Sequence, residues 1–193
     1  MAGTPGYIVA ATAGQATSVS LAWFGDAATA VIPTTVSTAL DVSLKDLGFV
    51  TQDGATTSTG LTTNDIPVFG STSPGRTLIT GETLTVNLTA QEVNKVTEAL
   101  TTRQALSAIT VTSATMSTTR GPGRDALYAL TLDGVDGGSS SAFRRVFPKV
   151  RVTNIGDEVI GFNNVIQTPF TFTAYADNSG VSCYRYTKVT GLT

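Results

Sequence analysis

Hydrophobic and polar positions alternate with a period of two over much of this chain, the spacing that places one face of a strand against a core and the other toward solvent. The clearest case is Glu82–Leu88, where Leu84, Val86 and Leu88 fall on one face and Thr83, Thr85 and Asn87 on the other. Tyr7–Ala11, Val19–Phe24, Lys45–Gln52, Ala108–Ser113, Ala126–Leu132, Phe143–Thr153, Thr168–Ala176 and Val181–Val189 read as further strands. Turn residues separate them: Gly25-Asp26, Asp53-Gly54, Gly121-Pro122-Gly123 as a hairpin or loop tip, Asp136-Gly137-Gly138 with Ser139–Ser141 as a flexible link, and Asp177–Gly180 turning a last hairpin.

The period changes once. Thr89-Ala90-Gln91-Glu92 has the form of a capping box, with Thr89 as N-cap and Glu92 reaching back, and Val93, Val96 and Leu100 follow at helical spacing beside Ala99. One helix over Ala90–Thr102 is the expectation, packed on the sheet of its own domain. Between Asp53 and Thr80 the alternation fails, and Gly54, Gly60, Pro67, Gly70, Pro74 and Gly75 interrupt the chain. A structureless connection of this length is unusual in a compact domain and tends to be functional. Ile66, Val68 and Phe69 lie in its middle. The segment is open to two readings: an exposed docking loop, or a two-stranded hairpin folded back on its own core.

Composition narrows the function more than the fold. The chain of 193 residues suits one domain, with residues 1–18 as a candidate N-terminal arm. Only 13% of residues are charged, against roughly 25% in typical domains, so Thr, Ser, Gly, Asn and Ala must cover much of the surface and the barrier to association is low. A net charge of −2 argues against binding nucleic acid through a basic face. With no histidine and one cysteine, Cys183, the usual general base, the Ser-His-Asp arrangement and the common zinc sites are excluded. Gly121–Ala126 matches a loose dinucleotide motif but leads into a strand, so a plain turn is the better reading. No metal, nucleotide or organic cofactor is expected, nor an enzyme. No signal sequence or membrane-spanning run is visible in the sequence.

Arg144, Arg145, Lys149 and Arg151 cluster around Pro148. They read either as an electrostatic contact with an acidic patch of another subunit or as a solvated strand face with alternate basic residues. Acids outnumber bases in the first half of the chain and the reverse holds in the second, an asymmetry that could orient a head-to-tail assembly.

Taken in order, several segments resemble one family. Leu44–Gly54, Asp65–Phe69, Arg76–Val86 followed by Glu92–Lys95, and Phe147–Thr153 through Phe170–Tyr175 are similar to the blocks of major tail proteins from long-tailed, non-contractile phages of actinobacteria. The resemblance covers most of Leu44–Tyr186. It implies a mainly β, sandwich- or barrel-like tail tube fold with one flanking helix and a long inter-subunit loop at 53–80. It further implies hexameric rings stacked head to tail, a lumen that passes DNA without specific binding, and the tape-measure and other tail proteins as partners. The implied location is the virion, assembled in the host cytoplasm, with no membrane. The inter-subunit contact candidates are then Ile66, Val68, Phe69, Arg76, Arg144, Arg145, Lys149 and Arg151. Short polar side chains from strands such as Glu82–Leu88 or Thr168–Ala176 are expected to line the lumen. A head–tail completion ring or a capsid decoration protein is the alternative. A carbohydrate-binding sandwich would need clustered exposed aromatics, and Trp23 is the only tryptophan.

Overall fold

The computed structural model describes the backbone of residues 12–13 and residues 20–113, 115–135, 141–158 and 165–189; the strand expected at Tyr7–Ala11, most of the 1–18 arm and the 136–140 link lie outside these. The protein is mainly β with one α-helix, as its sequence pattern implies. The strands are β1 (Thr12–Ala13), β2 (Ala22–Asp26), β3 (Lys45–Asp46), β4 (Val50–Ile66), β5 (Arg76–Ala90), β6 (Thr110–Thr112), β7 (Thr115–Ser117), β8 (Tyr128–Val135), β9 (Ala142–Ile155), β10 (Thr168–Tyr175) and β11 (Tyr184–Lys188), with helix α1 (Lys95–Thr102) after β5. Nine strands form one antiparallel sheet in the order β3-β2-β8-β9-β10-β5-β4, with β1 joining β8 and β11 joining β9; β6 and β7 pair separately.

This sheet curls over its own core. β2 and β10 are separated by β8 and β9, about 14 Å in a flat sheet at ~4.8 Å per strand, yet the rings of Phe24 on β2 and Phe172 on β10 lie 5.3 Å apart. The enclosed face carries Phe24, Val86, Leu88, Tyr128, Leu130, Phe147, Val150, Phe170 and Phe172, all buried, and the helix adds Val96, Ala99 and Leu100. Tyr128 ties the helix end to the sheet: its hydroxyl meets the carbonyls of Ala99 at 3.0 Å and Gln104 at 2.6 Å. Burial raises the pKa of that phenol, reinforced by the negative charge of Asp26.

Two expectations need correction. The helix begins at Lys95, not Ala90, because Thr89 and Ala90 complete the β5 ladder, where Ala90 pairs with both Thr168 and Val50. Asn94 is the N-cap, accepting from Val96 N at 2.9 Å and Thr97 N at 3.0 Å while its amide donates to Leu47 O at 2.7 Å. Glu92 instead accepts from Phe49 N at 3.2 Å, beside Gly48 at φ +84°. Of the two readings of Gly121–Gly123, the loop tip is the one found: it turns in the connection before β8, while β6 and β7 pair with each other. Finally, Asp177–Gly180 turns no hairpin. Successive residues of β10 and then β11 pair with β9 from Ile155 back to Ala142, so the two strands run in line along one edge of β9, broken by an excursion over residues 176–183.

Candidate functional site

The segment expected to be irregular is the most extended part of the molecule. β4 and β5, of 17 and 15 residues, pair over almost their whole length as one hairpin. Only Leu84–Ala90 of β5 also pairs with β10, so the outer part, from Arg76 to Thr83, is held by β4 alone and stands clear of the sheet. Every residue from Thr56 to Ile66 is exposed. The hairpin reading was therefore right about pairing, but the hairpin projects and does not fold back on the core. Thr supplies the β-propensity that keeps this arm extended without burial.

At its tip Gly75 N donates to Ile66 O at 3.0 Å and Ser71 N to Val68 O at 3.2 Å. Gly75 leaves room for Val68: a Cβ there would collide with Val68 Cγ2. Phe69 is completely exposed, and Ile66, Val68 and Arg76 are exposed beside it. Asp65 accepts from Thr77 Oγ1 at 2.6 Å.

The base of the hairpin contributes to a second feature. Register places Thr56 and Ser58 of β4, Thr85 and Asn87 of β5, and Thr171 and Thr173 of β10 on the face opposite the core, with Thr153 and Arg151 of β9 alongside. All are exposed or half-buried. The hydroxyls bond to the backbone and to one another: Thr153 Oγ1 donates to the carbonyl of Thr171 at 3.2 Å, and the Thr173 and Thr153 hydroxyls are 3.1 Å apart. This open face is a broad, mainly short-chained polar surface in which the two segments expected to supply one, Glu82–Leu88 and Thr168–Ala176, lie side by side between β4 and β9.

The four clustered basic residues do not act together. Arg144 is fully buried on β9, paired with Asp133 of β8 at 2.7 Å, and donates to the carbonyls of Thr35 at 2.7 Å and Thr38 at 2.6 Å. It pins the 33–38 segment over the sheet and has no surface for a partner subunit, so its place among the contact candidates is corrected. Arg145 faces the other way, in register with Leu132, and donates to Tyr186 O and Thr187 Oγ1, both at 3.1 Å. Lys149 donates to Asn178 at 3.1 Å, and Arg151 pairs with Asp125 at 2.7 Å and lies over the Tyr175 ring. A register shift between Tyr128 and Leu130 separates these two from Arg145 in facing.

Where β10 leaves the sheet at Tyr175 and β11 rejoins only β9, a gap opens between β11 and the hairpin base. It is a recess of about 370 Å³ lined by Thr57, Thr59, Glu82, Leu84, Arg145, Phe147, Ser182, Cys183 and Arg185. The excursion that frames it is fixed by Asp177, which accepts from Tyr184 Oη at 2.7 Å, Ser179 N at 2.8 Å and Val181 N at 3.0 Å. These bonds, led by that of Tyr184, hold its carboxyl below its ordinary pKa. Burial pushes the Cys183 thiol up. The recess residues other than Arg145 carry no one-dimensional signal: Arg145 and Arg185 meet only through the β9–β11 register.

No family model and no curated protein matches the chain. Among solved structures it is similar to a chain of the virion of a native gene transfer agent particle, at 11% identity and a TM-score of 0.41, over 78% of this chain and 92% of that one.

Proposed function

We propose that this protein is a structural virion subunit of the tail tube, closing hexameric rings that stack head to tail and conduct DNA. The observation that carries the reading is the β4–β5 arm. It holds a long edge that pairs with no other described strand and an apolar tip outside the domain that makes it, features a solitary subunit has reason to avoid. Lateral closure of subunits would pair sheet edges, and docking of the tip would bury Ile66, Val68 and Phe69.

The open face supports the same reading. A duplex passes freely only over a wall that does not hold phosphates. This face presents hydroxyls and Asn87, and its two cations are already engaged, Arg151 by Asp125 and Lys149 by Asn178. We assign it to the lumen. The tape-measure and other tail proteins are the accompanying partners, and the virion is the location.

Negative-stain imaging of the concentrated, tag-free protein tests this. Open-ended tubes with sixfold rings are expected. Isolated closed rings would turn the assignment to a head–tail completion ring, trimers to a decoration protein, and a persistent monomer would overturn the structural-subunit reading.

A further inference from the structure

Arg145 and Arg185 occupy directly opposed positions on β9 and β11. Like charges in direct cross-strand register repel, and a fold that keeps them so placed is favoured by a counter-ion. Among the described residues, the ion pairs are Arg144–Asp133 and Arg151–Asp125, so neither arginine has a carboxylate within ion-pair distance; Glu82 lines the same recess but stands farther off. Both line the recess beside β11, together with the apolar surfaces of Leu84, Phe147 and Cys183. Burial and the charge of Arg185 both lower the pKa of Arg145, so the recess disfavours its charge.

The chain carries the complement of this site elsewhere. Asp65 sits at the outer end of β4, next to Ile66, Val68 and Phe69, so one exposed carboxylate adjoins an exposed apolar knob. A knob of that kind matches a recess in which two arginines outnumber the one acid, Glu82, and Leu84, Phe147 and Cys183 supply apolar surface. The tip cannot reach the recess of its own chain. The seven residue steps from Thr59, at the recess, to Ile66 span about 24 Å of continuous strand.

We infer that the recess is the receptor for the hairpin tip of a second copy, with the arginine pair taking the carboxylate of its Asp65. This rests on the tail-tube reading and names the residues of its axial contact. Tip and recess are different surfaces, so the contact is heterologous: every added copy leaves one free tip and one free recess, and growth continues without closing. Arg145 is held by its own strand partners through Tyr186 and Thr187, so Arg185, which is exposed, is the one free to adjust to the incoming group.

A charge swap tests the pairing. Asp65→Arg and Arg185→Glu each alter an exposed side chain, and each single variant should remain folded by circular dichroism. Sedimentation then gives the critical concentration for assembly. Each single variant should raise it by about tenfold or more, and the double variant should return it to within about threefold of the parent. If the effects of the two changes simply add, the two residues are not partners and this contact falls, while tubes of the unaltered chain leave the tail-tube reading standing. A parent chain that never assembles removes both.

Discussion

Replacing Arg144 by Ala isolates what the buried ion pair contributes before any assembly. Arg144 and Asp133 have side chains 0% and 1% exposed, and the guanidinium also serves the Thr35 and Thr38 carbonyls. Removing it leaves a buried carboxylate with no cation and two carbonyls with one donor fewer. Breaking a buried pair in this way costs about 3–5 kcal/mol. For a domain of this size, 1 kcal/mol corresponds to about 2–4 °C in melting temperature, so a fall of roughly 6–20 °C is expected. Urea denaturation of the dilute monomer, followed by circular dichroism, is the direct assay. The paired variant Asp133→Leu/Arg144→Met removes both charges together and should recover most of the loss. A loss below about 1 kcal/mol for Arg144→Ala would refute the strut, as would a paired variant no more stable than the single one.

Asn94→Ala removes the N-cap of α1 and its bond to Leu47 O, and should cost about 1–2 kcal/mol in the same assay, with Thr89→Ala costing less. The folded carboxyl of Asp177 is depressed, so its contribution is complete above the unfolded value of 3.8 and is lost as pH falls through the folded pKa. Tyr184→Phe should therefore raise the Asp177 pKa toward 3.8, read from its carboxyl carbon shift by NMR. Ile66→Ser with Phe69→Ser changes only exposed side chains, so the monomer should keep its stability while polymerising poorly by light scattering.

The strands that bury one face were legible because burial imposes period two: Glu82–Leu88 and Thr168–Ala176 appear as expected and pair with each other. The outer hairpin was not, because both of its faces meet solvent and the run from Thr56 to Thr63 needs no apolar alternation. Its signal was the density of Thr alone. The helix start misled because Thr89 and Glu92 satisfy the capping pattern locally, while the ladder partners of Ala90 lie about 40 and 80 residues away in sequence. The basic cluster was visible as composition, but its division into a buried strut, a recess wall and an open-face pair depends on a bulge and on partners in β8, β10 and β11.

A strand pair with no buried stripe on its outer half is free of the constraint that usually fixes strand length. Removing two residues from each strand keeps every remaining side chain on its original face, and shortens the arm by about 7 Å. Nothing in a core is disturbed, because Thr56–Thr63 and Arg76–Thr83 contribute none of the core's buried side chains. The arm is therefore a ruler. If its tip seats on another copy, the number of residue pairs between Thr59 and Ile66 sets the spacing of the lattice, and that spacing can change in even steps while the domain stays as it is.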